Sequence, residues 1–430
     1  MTLPTGPRSA AVAGDPPDPH RWSSSVVLGV LVAAAGMAGS MALFPLLRPL
    51  PHPYWWIPDD VWLNLVAGHY VANGALPLIY ESGMLGQSKL FVAGPLLPVL
   101  LAPVALISTH FHLSESYPLT IPKPSAWPVY GTYGLLLCSI PLLYATRSLA
   151  WELGIRRRPW VIQASAIALV LVPVGVMYGH YEDVLALAFV VLGVRDALRD
   201  EPIRAGLRFG VAVAFKQWAL LGVPILVARA PAGSRLRTLW ASIALPGGFA
   251  ALALATDWPQ ASHALLWPPS FPRYGHAALW VSHTAQIVTT SPFRLLAFVV
   301  AFGLAFDIRR RRDPAALLAA LGVAFLVRLA VEPVVYGYYL APALALLLLH
   351  EATTTGGVRW TPLLGVAALA SFALYPPLAL WWMGLALLCA CVAAPAVRTL
   401  VAGPGSAARL RAVRASAAEG GIARARRSRP

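Results

Sequence analysis

Apolar runs long enough to cross a bilayer recur from one end of this chain to the other, with short arginine-bearing segments between them. A hydrocarbon core of about 30 Å asks for ~20 apolar residues per helix, and it offers no water to an unpaired backbone group. A chain built this way has one economical solution, a bundle of membrane helices. Its charged residues amount to only 12% and its hydrophobic residues to 58%, whereas soluble domains carry about 25% charged residues. The expected class is an all-α polytopic membrane protein.

The net charge of +15 raises nucleic acid as a partner. The arginines sit between apolar runs, where the positive-inside rule places them, so nucleic acid is excluded. Cys138, Cys389 and Cys391 all fall in apolar stretches and are expected to be small buried residues without a disulfide framework. Residues 1–24 are expected to be a disordered cytoplasmic tail, 25–400 the membrane domain, and 401–430 a basic cytoplasmic tail. The first apolar run, 25–47, is too long for a signal-peptide core and should remain as an anchor.

Basic clusters at 156–158, 199–208, 229–237, 309–312 and 409–429 set the topology. If all face the cytoplasm, each intervening stretch is crossed an even number of times. The run 90–108 then lies on the outer leaflet without crossing, because crossing would export 156–158. Its Pro95, Pro98 and Pro103 fit an irregular element. Residues 48–127 become one long first external loop. The stretch 205–228 must go out and return within two halves of about 11 residues each, too short for full spans at 1.5 Å per residue. It is expected to be two short helices meeting around Lys216. The remaining spans are expected at 129–150, 160–178, 184–198, 239–256, 292–308, 315–331, 338–349, 361–375 and 378–397. The total is about twelve crossings by the spanning-length rule, with both termini cytoplasmic.

This topology gathers the unusual polar residues on the external side. Asp59 and Asp60 open the loop; His180, Glu182 and Asp183 end a span; Lys216 sits at the helix joint; Arg328 and Glu332 end another span; His276 and His283 lie in the loop 257–291. An ionisable group in a membrane span is a functional candidate. Each also has a plain structural reading. Asp59 and Asp60 suit a first helical turn, His180–Asp183 a polar turn, Lys216 snorkelling, and Arg328–Glu332 an i,i+4 pair.

Three stretches resemble one family. "DVWLNLVAG" (60–68) is similar to the acid–hydrophobic–Trp start of the first external loop in GT-C glycosyltransferases. "GHYEDVLALAF" (179–189) followed by "RAGLRFGVAVAFKQWALLGVPILV" (204–227) resembles a Gly-His/Gln-x-acid … Lys-Gln-Trp-Ala pattern. That pattern belongs to actinobacterial membrane mannosyltransferase-like proteins of the glycosyltransferase 87 type, among which are polyprenol-phosphate-mannose-dependent enzymes. "EPVVYGYYLAPALALLLL" (332–349) resembles their late Tyr-Tyr-x-x-Pro segment. The chain departs from the pattern in its doubled acid and in Tyr181, where proline is common.

The resemblance implies a GT-C-like bundle and a hexosyltransferase of the plasma membrane. Its donor would be a polyprenyl-phosphate sugar, with mannose expected, and its acceptor a cell-envelope glycolipid or glycan, alongside membrane lipid. It implies Asp60 or Asp59 as general base with inversion, Lys216 and Arg328 at the donor phosphate, and His180, Glu182, Asp183, Gln217, Trp218, His276, His283, Glu332 and Tyr338 around the substrate. No cofactor is expected, and a divalent metal is left open. A transporter or lipid-linked sugar flippase also needs ionisable groups in spans, and a non-catalytic envelope scaffold needs none of these roles. Both stay open at this point.

Overall fold

The computed structural model describes residues 21–47, 59–75, 79, 96–111, 127–155, 159–256, 258, 294–331, 337–355 and 379–402. Among the described residues every regular element is helical. In chain order these are α1 (Arg21–Leu47), α2 (Asp59–Ala72), α3 (Leu96–His110), α4 (Trp127–Glu152), α5 (Pro159–Ala166), α6 (Tyr181–Leu198), α7 (Pro202–Phe215), α8 (Val223–Arg229), α9 (Arg235–Thr256), α10 (Arg294–Arg310), α11 (Pro314–Val331), α12 (Ala341–Thr355) and α13 (Ala379–Val401). Three of the described helices are long and apolar enough to cross a membrane, over Trp22–Ala42, Val129–Glu152 and Ala232–Thr256, and they point to membrane association. The expected segment 361–375 lies outside the described residues.

Small residues set how closely these helices approach. Gly206 and Gly210, one turn apart on α7, bring that helix onto the backbone of α9. A Cβ at Gly206 would stand 2.6 Å from Thr238 O, and one at Gly210 2.7 Å from Ala241 O. This spacing of small residues is how helices touch where lipid removes the hydrophobic drive for association. α2 and α3 form a second close pair, where Gly68 faces the backbone of Pro98 and Ala102. α3 has 15 residues, so it is about 22 Å long and falls short of a bilayer core. Tyr133 Oη donates to Leu100 O at 2.9 Å and ties α3 to α4.

The core centres on α6, whose Val184, Ala186, Leu187, Ala188, Val190 and Val191 are fully buried. α4 and α7 cover it, α1 backs α4, and α11 packs against α10, α12 and α13. Large apolar side chains also point outward in rows, such as Leu236, Trp240 and Leu252 on α9 and Leu295, Val299, Phe302 and Phe306 on α10.

Regular α-helix gives way at two places near this core. Beyond α5, residues Ile167–Tyr178 form a π-helix, a wide winding that is rare and frequent at functional sites. It stops at Gly179, whose φ of 72° is left-handed and suits a residue without Cβ. The second break lies at Lys216, where two short helices were expected to meet. α7 ends at Phe215, Lys216 is extended (φ −152°, ψ 126°), and a 3-10 turn Gln217–Gly222 leads into α8. The cysteines divide: Cys138 is buried, Cys389 is partly covered and Cys391 is exposed. The expectation of three buried thiols therefore fails at Cys391, which sits on an outward face of α13.

Candidate functional site

The two breaks meet. The π-helix hands the chain through Gly179 and His180 into α6, so Glu182 and Asp183 occupy the first turn of α6. Carboxylates there face the positive end of the helix dipole. The extended Lys216 brings its ammonium across to them from the α7 side. Its Nζ donates to Glu182 Oε1 at 2.8 Å and lies 3.0 Å from Asp183 Oδ2. The bond spans 34 residues of sequence.

The surrounding contacts lock this arrangement. His180 Nδ1 is 3.0 Å from Glu182 Oε1 and 3.7 Å from Asp183 Oδ2. Trp218 Nε1 donates to Asp183 Oδ1 at 2.7 Å, and its ring meets Phe325 edge to face. The His180 imidazole stacks on Tyr338 with centroids 4.3 Å apart, and Tyr338 also touches Tyr178 and Tyr339. Arg328 lies over the Tyr339 ring at 5.0 Å, a cation–π contact. Tyr181 points the other way. It is fully buried in a notch left by Gly134, where any Cβ would run into its ring.

The acids are not fully satisfied. Glu182 Oε2 is buried and has no hydrogen-bond partner, and Asp183 Oδ2 is near the ammonium without hydrogen-bond geometry. A buried carboxylate oxygen left without a donor is costly. One orphaned oxygen, beside a stacked imidazole and a lysine, is an acceptor waiting for a hydroxyl or another donor. One ligand atom each from His180, Glu182 and Asp183 lies within 4.8 Å of the others, a spacing that a cation can bridge. Lys216 already supplies positive charge to both acids, so a metal would have to displace or share with the ammonium.

The structure therefore brings together His180, Glu182, Asp183, Lys216, Trp218 and Tyr338. Gln217 is next to them in sequence and exposed. Arg328 reaches the group through Tyr339. Asp59 and Asp60 stand in the first turn of α2, as expected of helix-starting acids, but their side chains lie outside the described residues. So do His276, His283 and Glu332. Lys216, expected at the donor phosphate, is paired with the two carboxylates in this structure. Tyr339 and Phe325 were not singled out in the sequence. Tyr339 was at least legible as half of a Tyr-Tyr pair; Phe325 had no signal beyond being apolar.

No protein-family model, curated protein or solved structure matches this chain.

Proposed function

We propose that this chain is a multi-pass plasma-membrane glycosyltransferase of the GT-C kind. It has about twelve crossings, cytoplasmic termini and an external site that takes a sugar from a polyprenyl phosphate and passes it to a cell-envelope glycan or glycolipid. The observation that carries the reading is the cluster at the two helix breaks. A lysine at the joint of two half-helices is clamped by two acids, one with an orphaned oxygen, and an aromatic-stacked histidine stands beside them. The outward rows of Leu, Val, Phe and Trp on α9 and α10 add to it, since soluble proteins rarely leave such faces bare.

The chemistry assigned to the residues is simple. The acceptor oxygen attacks the anomeric carbon and its proton passes to a carboxylate, Asp60 first and Asp59 second. The bond from the anomeric carbon to the phosphate oxygen breaks, and the electron pair leaves with polyprenyl phosphate. Arg328, with Lys216 behind it, faces the charge that grows on that phosphate. Glu182 Oε2 and Asp183 accept hydrogen bonds from sugar hydroxyls. A single base, without a carboxylate nucleophile, gives inversion.

The test is to incubate purified protein with polyprenyl-phosphate mannose, arabinose or glucose together with a cell-envelope glycan and glycolipid extract as acceptor, and measure release of free polyprenyl phosphate. Asp60→Asn is expected to cut the rate about 10²–10⁴-fold and leave the protein monodisperse, while Asp59→Asn keeps most activity. Full activity in both variants, or no release with any sugar, would sink the reading. A carrier is the second reading, because a discontinuous helix bearing an ionisable group also describes transporter binding sites. Movement of a labelled lipid-linked sugar between leaflets of proteoliposomes, without release of polyprenyl phosphate, would select it.

A further inference from the structure

The acids at the start of α6 are spaced as metal ligands are, yet a lysine stands among them. One atom each from His180, Glu182 and Asp183 lies within 4.8 Å of the others. His180 Nδ1 is 3.0 Å from Glu182 Oε1 and 3.7 Å from Asp183 Oδ2. A first-row divalent ion such as zinc holds imidazole nitrogen and carboxylate oxygen at about 2.0–2.2 Å, so two atoms on one ion are at most about 4.4 Å apart. Both distances meet that limit without movement. An imidazole with two carboxylates is also a donor set that such ions accept.

Lys216 Nζ occupies the middle of this set. It is 2.8 Å from Glu182 Oε1 and 3.0 Å from Asp183 Oδ2, the same two oxygens that face the imidazole. The backbone puts it there. Lys216 is extended between α7 and the 3-10 turn, while its N–H still donates to Ala212 O at 2.9 Å. The ammonium is an incomplete occupant. It sets one positive charge against two carboxylates, and Glu182 Oε2 and Asp183 Oδ2 remain buried without a hydrogen bond. Asp183 is only 6% exposed, and its Oδ2 points into the cluster. These oxygens are coordination positions that the lysine does not use.

We infer that the Lys216 ammonium is a tethered cation filling a divalent-metal position made by His180, Glu182 and Asp183, and that removing it turns the cluster into a metal site. Charge decides between the two occupants. A divalent ion among these ligands would stand beside the ammonium, and cations that close repel strongly in surroundings poor in water. The lysine, being part of the chain, is also present at high effective concentration. Without it, one divalent ion balances both carboxylates in full. The protein thus has a positive centre between its two helix breaks whose charge does not vary with metal supply. The inference holds whether the cluster serves sugar transfer or a carrier, so its test does not read activity.

The experiment counts Mn²⁺ bound to purified full-length protein in detergent by electron paramagnetic resonance, and follows the melting temperature alongside. Manganese prefers carboxylates and has less attraction than zinc for thiols. Lys216→Met keeps the stem of the side chain and leaves the ammonium's position open. It should bind one more Mn²⁺ per molecule than the parent, and Mn²⁺ should raise its melting temperature by more than the parent's. Adding His180→Ala or Glu182→Gln to Lys216→Met should remove both gains. Lys216→Arg, which restores a tethered cation, should bind no extra ion. Lys216→Ala is the second variant if methionine does not fold; if neither folds with Mn²⁺ present, the metal does not replace the ammonium and the inference falls. Equal counts in parent and Lys216→Met, or an extra ion that survives loss of His180 and Glu182, overturn it as well. So does a parent that loses an ion on His180→Ala, because the metal would then share the cluster with the lysine.

Discussion

The two ends of α6 both carry acids, and they are finished to different degrees. Near its C-terminal end, Asp196 is fully buried and completely served. Arg195 Nε donates to its Oδ1 at 2.8 Å and Arg208 Nε to its Oδ2 at 2.6 Å. Arg195 goes on to Ser148 at 3.0 Å, and Arg199 pairs with Glu152 alongside. At the N-terminal end, Glu182 and Asp183 share one lysine, and Glu182 Oε2 has no donor. One helix therefore shows what this fold does when it only needs to bury a carboxylate: it surrounds it. The other end was left incomplete in the same surroundings, and this is the physical case for function there rather than packing.

The comparison can be broken in four ways. The largest expected effect is Asp196→Asn, which leaves two guanidinium groups facing a neutral amide. Removing one partner of a buried pair costs about 3–5 kcal/mol, so the melting temperature should fall well below the parent and below every variant at the other end. A mild effect would mean that Asp196 is no better supported than Glu182. Next comes Lys216→Met. It should lower the melting temperature, because Glu182 and Asp183 lose their shared ammonium, and raise the donor KM about ten- to hundredfold, the equivalent of roughly 1.5–3 kcal/mol. An unchanged KM with lowered stability would make both ends of α6 structural.

Gly134→Ala is third. The added methyl collides with the Tyr181 ring and must displace it at the start of α6, an overpacking cost of about 1–3 kcal/mol. Turnover should drop more than the melting temperature does. A variant with parental turnover would show that Tyr181 does not set the position of the acids. The smallest is Arg204→Ala. Its partner Glu201 and the arginine itself are both exposed, and pairs of that kind contribute little. A melting temperature outside experimental scatter would show that the α7 start depends on surface charge.

How much of this could be read from the residues differs by feature. The joint at Lys216 was legible, because the arginines demanded an out-and-back path through a stretch too short for two spans. The start of α2 at Asp59 was legible from local helix chemistry. The π-helical winding of Ile167–Tyr178 was not, since its apolar residues suit α-helix equally well and Pro173 alone does not select i→i+5 bonding. Nor was the clamp on Lys216. "GHYED" and "KQW" could each be marked as unusual, but the bond between them depends on how α6 and α7 rotate about their axes, which only packing decides. Arg229 was visible only as one of several basic residues after a span. That its Nε and Nη1 are buried without a hydrogen-bond partner is a property of the folded surroundings.

The π-helix bears on how a site of this kind can change over generations. Wide turns of this sort hold a residue in reserve. A lineage can lose one codon within 167–178, let the turns tighten to i→i+4, and keep Gly179 where it is. The same deletion inside α6 would twist every later residue by about 100° and pull Asp196 away from its arginines. Insertions and deletions should therefore accumulate before Gly179 and be purged after it, so that segment length, more than residue identity, becomes the variable through which the pocket's wall is reshaped.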